Sequence, residues 1–129
     1  SIEVVASRLK NASEYGISAI AADHGVNFEW VHGNTEINWR ALDLTDHEVR
    51  LLINDYEVAT GIGGDVLGCP LNALVWLTNH LSKRGHVLTA DTWVSSGSCT
   101  NITPVCANDR VVADFGTLGT VILTFIDSD

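Results

Sequence analysis

The chain has 129 residues, enough for one ordinary domain, and carries 7 Lys and Arg against 16 Asp and Glu for a formal net charge of −9. That balance excludes the clustered positive charge that nucleic-acid phosphates require, and 46% hydrophobic against 18% charged residues excludes a disordered chain. No apolar run approaches the roughly 20 residues of a membrane span, and no basic stretch leads into an apolar one at the N-terminus, so neither a membrane nor a nucleic acid is an expected partner.

The chain opens on Ser1-Ile2-Glu3-Val4-Val5, a weak alternation that runs to Ala6 and reads as the middle of a strand. It contains no Met, so either an initiator Met was removed ahead of the small Ser1 or the chain is a piece of something longer. Residues 11–16 are turn formers, and the small apolar run from Ile17 to Asp23 predicts a short helix closed by Gly25. Phe28, Trp30 and His32 then alternate with Asn27, Glu29 and Val31, which predicts a strand. Two more strands, Glu48 to Ile53 and Tyr56 to Thr60, are joined by the turn formers Asn54 and Asp55. Gly61, Gly63 and Gly64 follow as a flexible loop resembling a phosphate cradle, but no Lys-Ser/Thr comes after them and the spacing fits no nucleotide fingerprint.

The clearest helix spans Pro70 to Arg84, with Pro70 in its first turn, Lys83 and Arg84 at its negative end and Gly85 as its stop. Leu71, Leu74, Val75 and Leu81 form one apolar stripe and Ala73, Trp76, Leu77 and His80 a second, so the helix calls for cover on most sides. From Asp91 onward the pattern is β, with Thr92–Ser95, Thr103–Val105, Arg110–Phe115 and Gly119–Ile126 as short strands. The fold class is therefore α+β: a β-rich mixed roll of short strands with one long helix, in a single domain over 1–129. Cys69, Cys99 and Cys106 are an odd set without C-x-x-C spacing, which fits reduced thiols in a cytoplasmic protein better than a zinc site or a disulfide framework.

Four strings, in order, resemble one family. Ser1-Ile2-Glu3-Val4-Val5-Ala6-Ser7-Arg8 is similar to its A-x-E-V-x-x-S-R strand, and Leu67-Gly68-Cys69-Pro70-Leu71-Asn72-Ala73-Leu74-Val75-Trp76-Leu77 to its L-G-x-P-L-N-A-x-x-W-L helix entry. Ser96-Gly97-Ser98 followed by Pro104-Val105 is similar to its T-G-S…x-P-V strand and loop, and Ala113-Asp114-Phe115-Gly116-Thr117-Leu118-Gly119-Thr120-Val121 to its A-D-F-G-x-L-G-x-V hairpin. The family is the 2-keto-4-pentenoate hydratases and 4-oxalocrotonate decarboxylases, within the fumarylacetoacetate hydrolase superfamily, and the resemblance is to the C-terminal half of that fold.

The resemblance implies a lyase of aromatic catabolism that hydrates or decarboxylates small 2-hydroxy-dienoic or 2-oxo acids through an enolate held by Mg²⁺ or Mn²⁺. A hard cation suits carboxylate ligands and acts as a Lewis acid. Glu3 matches the last of three metal carboxylates, and Asp23 a carboxylate beside the pocket. Gly97 and Ser98 match the loop lining the substrate, where glycine admits close approach and the hydroxyl can bond a carboxylate. Asn72 falls among the substrate-side residues, with the holding of neighbouring backbone as its favoured role.

The sequence departs from the family in ways that bear on function. The E-x-E pair of metal carboxylates and the pocket Lys are absent, so the remaining ligands would come from outside this chain. Asp23 is followed by His24, Gly25 and Val26 where the family has Asn-Ala-Ser, and the G-S-L-T-G string becomes Gly97-Ser98-Cys99-Thr100-Asn101. Three readings follow. The chain is part of a metal-dependent lyase completed by a complementary chain or an oligomer. Alternatively, it is a non-catalytic assembly subunit, or it is a small enzyme repurposed around His24 and Asp23 as a general acid/base pair.

Overall fold

The computed structural model describes residues 1–11 and 14–127. Ala12 and Ser13, inside the expected turn at 11–16, lie outside the described residues. The chain divides into two compact units, Ser1–Gly33 and Asn34–Asp129.

In the first unit, strand β1 (Ile2–Val5) leads to helix α1 (Gly16–Ala22) and returns as β2 (Asn27–Val31), which pairs antiparallel with β1. Ile2 pairs with Val31, Glu3 with Trp30 and Val4 with Glu29, and a bulge then sets Val5 against Asn27. A bulge at this point bends the strand and re-aims the side chains next to it. Asp23 closes α1, and a short 3-10 turn over His24–Val26 leads into β2. That turn is left-handed throughout, with φ of 54° at His24, 69° at Gly25 and 58° at Val26. Glycine adopts this region without penalty, whereas for a β-branched residue such as Val26 it costs about 1–2 kcal/mol.

The second unit is built on a four-stranded antiparallel sheet in the order β4-β3-β5-β6, with β3 at Glu48–Ile53, β4 at Tyr56–Ile62, β5 at Arg110–Asp114 and β6 at Thr120–Thr124. Asn54 and Asp55 both take positive φ, 51° and 67°, as the tight turn between β3 and β4 requires. Each pair of sequential strands is a hairpin, and the two hairpins meet along β3 and β5, with Leu51 opposite Ala113. The alternation of the strands puts Val49, Val111, Ala113 and Val121 on one face, and with Val66 they are the buried apolar residues of the core. The opposite face carries the ion pair of Arg50 with Asp114 at 2.5 Å.

Helix α2 runs from Pro70 to Ser82, with Pro70 at its start and Lys83 as its C-cap. No residue of α2 is buried: Trp76 is 59% exposed and Val75 58%, so the cover that its two apolar stripes call for is not supplied by the described residues. No helix among the described residues is long and apolar enough to cross a membrane.

Two expectations need correction. Gly61, Gly63 and Gly64 are not a flexible loop, since Gly61 belongs to β4 and the other two begin a 3-10 turn over Gly63–Asp65. They are glycines because backbone passes close by: a Cβ on Gly61 would lie 1.7 Å from the Cys99 carbonyl oxygen and one on Gly63 1.8 Å from that of Leu44. Thr92–Ser95 and Thr103–Val105 form no ladder among the described residues. Alternation alone does not make a strand, because its backbone N–H and C=O groups need those of a neighbour.

Candidate functional site

Asp23 is the one buried charged residue among those described, at 5% exposure. Its carboxylate accepts the Ser7 hydroxyl at 2.7 Å and the backbone N–H of Arg8 at 2.9 Å on one oxygen, and the Arg8 guanidinium at 3.1 Å on the other. The Ser7 hydroxyl and the Arg8 N–H hold its pKa below the ordinary carboxylate range against the opposing effect of burial, with the Arg8 guanidinium adding to the lowering. Asp23 is thus a fixed anion. His24 is exposed and no hydrogen bond joins it to Asp23, so the acid/base pair expected from their adjacency is not formed.

Glu3 lies on β1, exposed, and one of its carboxylate oxygens accepts the side-chain amide of Asn27 at 2.8 Å. A carboxylate held on one oxygen fits a single coordination position of a hard divalent cation. The described residues do not assemble the rest, since no group of three or more His, Cys, Asp or Glu could hold a metal.

In the second unit, Gly97 takes φ of +133°, and a Cβ there would lie 3.1 Å from Val66 Cγ1. A side chain at Gly97 would thus crowd the buried Val66 and strain the positive φ. Ser98 donates its hydroxyl to the Thr100 carbonyl. Asn72 donates its side-chain amide to the Leu67 carbonyl at 2.8 Å, tying the start of α2 to the turn before it. Cys99 is half-buried, and burial pushes its thiol above the usual range with the Asp65 carboxylate adding to the effect. All three cysteines are free.

Sequence reasoning did not single out Ser7, Arg8 and Asn27 as site residues. Ser7 and Arg8 stand in the quoted Ser-Arg string, and a buried aspartate needs donors, but the partner of that string is 15 residues away. Only the fold brings them together.

No protein-family model matches the chain. It is 29% identical over 125 residues to the 4-oxalocrotonate decarboxylase of Pseudomonas putida, covering 97% of this chain and 47% of that protein. It is 32% identical over 124 residues to the 2-keto-4-pentenoate hydratase of Paraburkholderia xenovorans (strain LB400), covering 96% and 46%. The fold of a solved structure, the 4-oxalocrotonate decarboxylase from Pseudomonas putida G7 complexed with magnesium and adipate, matches 96% of the chain and 47% of its own with a TM-score of 0.86 at 29% identity. The chain is similar to these hydratases and decarboxylases over nearly its whole length. It spans about half the length of the curated relatives it matches. The likeness to the decarboxylase includes the antiparallel strands and the helix, so the mixed α/β arrangement is common to both.

Proposed function

We propose that this chain is part of a metal-dependent lyase that hydrates or decarboxylates small 2-hydroxy-dienoic or 2-oxo acids of aromatic catabolism, with the other metal ligands supplied from outside these residues. The observation that carries the proposal is the likeness, over 96% of the chain and at a TM-score of 0.86, to a decarboxylase complexed with magnesium and adipate. On this reading the chain corresponds to the later half of the fumarylacetoacetate hydrolase fold and works in the cytoplasm with its thiols reduced.

Mg²⁺ or Mn²⁺, when bound, would supply Lewis-acid polarisation of the substrate oxygens. Glu3 contributes one carboxylate, pre-set by Asn27. Gly97 and Ser98 take the substrate side, where the hydroxyl of Ser98 would exchange the Thr100 carbonyl for a substrate carboxylate. Asn72 and Asp23 serve as holders of backbone, because their polar atoms are engaged with Leu67 and with Ser7 and Arg8. His24, exposed at the turn, remains available as a general acid or base independent of Asp23.

The test is to add Mg²⁺ or Mn²⁺ to the assembled protein and follow loss of the dienoate ultraviolet band. Turnover that disappears in Glu3→Gln is expected, and turnover unchanged in that variant overturns the assignment. A second reading, an assembly subunit without catalysis, is favoured by the exposed apolar residues of α2. Light scattering on the chain alone and mixed with a full-length relative separates the two: association without any Glu3-dependent turnover supports the second.

A further inference from the structure

The first unit contains a continuous polar chain that runs from the buried Asp23 to the exposed Glu3. Arg8 is its bridge. One guanidinium nitrogen donates to Asp23 at 3.1 Å and the other to the Asn27 carbonyl at 3.0 Å. Asn27 then donates its side-chain amide to Glu3 at 2.8 Å. We propose that Asp23 is a positioning residue for Glu3, acting through Arg8 and Asn27 to set where the Glu3 carboxylate points.

Three features of this unit support the assignment. The first is that Asn27 sits at a weak point of the ladder: it is paired with Val5 only after the bulge, so regular strand geometry does not fix it. The second is that the three residues between Asp23 and Asn27 are all left-handed, including Val26, and such backbone persists only where its surroundings over-determine it. The Arg8 bridge clamps both ends of that stretch. The third is the shape of the bridging group. A planar guanidinium presents two donors in a fixed fork, so it can hold a carboxylate and a carbonyl at once, whereas an ammonium on a flexible stem is a single point charge. The Phe28 ring, 5.9 Å from the guanidinium carbon, gives the fork a further face to rest against. Asp23 in turn is held by Ser7 and by the Arg8 backbone, so it stays anchored when the Arg8 side chain is altered.

The catalytic meaning of this arrangement rests on reading Glu3 as a metal carboxylate; the arrangement itself does not. The test separates the two. Asp23→Ala removes the anchor and endangers folding, so two milder variants decide: Asp23→Asn, which keeps the shape but drops the charge that holds the Arg8 fork, and Arg8→Lys, which keeps the charge and the Arg8 main-chain bond to Asp23 but loses the fork. The readout is the Asn27 side-chain amide in nitrogen–proton NMR spectra of the full chain, with Glu3→Ala defining its position once the acceptor at residue 3 is gone. The expected result is that Asp23→Asn and Arg8→Lys each move the Asn27 side-chain signals most of the way to their Glu3→Ala position while the backbone spectrum of β1 and β2 is preserved. Asn27 signals that stay at their wild-type position in either variant overturn the proposal. A second titration, with Mn²⁺ as the probe, examines the metal reading alone. Paramagnetic broadening around residues 2–4 is expected to need at least twofold more Mn²⁺ in Glu3→Gln and in Arg8→Lys than in wild type. Equal broadening in wild type and Glu3→Gln overturns the metal assignment, and the Asn27 result still decides whether Asp23 positions Glu3.

Discussion

The α-carbon of Gly61 faces the carbonyl of Cys99 so closely that a Cβ on Gly61 would come within 1.7 Å of that oxygen. This contact fixes β4 against the ladder-free segment that carries Gly97 and Ser98. Gly61→Ala must therefore displace backbone, and the expected loss is about 3 kcal/mol, at the upper end for overpacking. Gly25→Ala is the contrast: nothing lies within 4 Å of the added Cβ, so only the left-handed φ of 69° is penalised, at about 1 kcal/mol. Urea unfolding of the two variants checks both magnitudes and their order.

Acid should unfold this chain through identifiable carboxylates. Asp23 is held low in pKa by Ser7 and Arg8, Asp109 by the Cys106 N–H and the Asn54 amide, and Asp114 by the Gly116 N–H and the Arg50 guanidinium. A carboxylate whose native pKa is depressed stabilises the fold fully above its unfolded value, near 4, and loses that contribution as the pH falls through the native value. Stability attributable to these groups is thus expected to be level above about pH 5 and to fall below about pH 4. Asp114→Asn should make the acid limb shallower, as read from urea midpoints at successive pH values.

How far the sequence could be read follows from the range of the interactions. The β3–β4 hairpin was legible because Asn54-Asp55 is a local turn signal, and α2 because proline, apolar stripes and a closing glycine all lie within one segment. Glu3 and Asp23 were legible as polar residues in motif strings. What each of them binds was not, because Arg8 meets Asp23 across 15 residues and Asn27 meets Glu3 across 24. The glycines at 61 and 63 misled for the same reason: the backbone that forces them to be small comes from Cys99 and Leu44.

The exposed stripe of α2 sets an expectation for the chain on its own. Val75, 58% exposed, touches little, so Val75→Lys should shift stability by no more than about 0.5 kcal/mol. Val111, 3% exposed in the sheet core, should cost about 2 kcal/mol as Val111→Ala. In an assembly that covers α2 the Val75 variant becomes the costly one for association, which light scattering of the two variants would reveal.

Asn72 offers a clean separation of holding from binding. Its amide caps the Leu67 carbonyl, and Leu67 and Gly68 are both left-handed, with φ of 52° and 79°. Asn72→Ala is expected to cost about 1 kcal/mol in urea unfolding and, in the proposed lyase assembly, to leave KM unchanged. An altered KM at unchanged stability would move Asn72 to the substrate side.

The seam between β3 and β5 has a kinetic consequence. Arg50 and Asp114 face each other across it although 64 residues separate them in sequence. Within each hairpin the partners are near neighbours, so both ribbons can form on the microsecond scale of local turns. Joining them requires closing a long loop that contains all of α2, and the entropy of that closure is lost before the Leu51–Ala113 and Leu52–Val112 contacts repay it. The sheet is thus expected to form as two quick ribbons whose junction sets the pace of folding, with the unpaired β3 edge open longest there to a neighbouring chain.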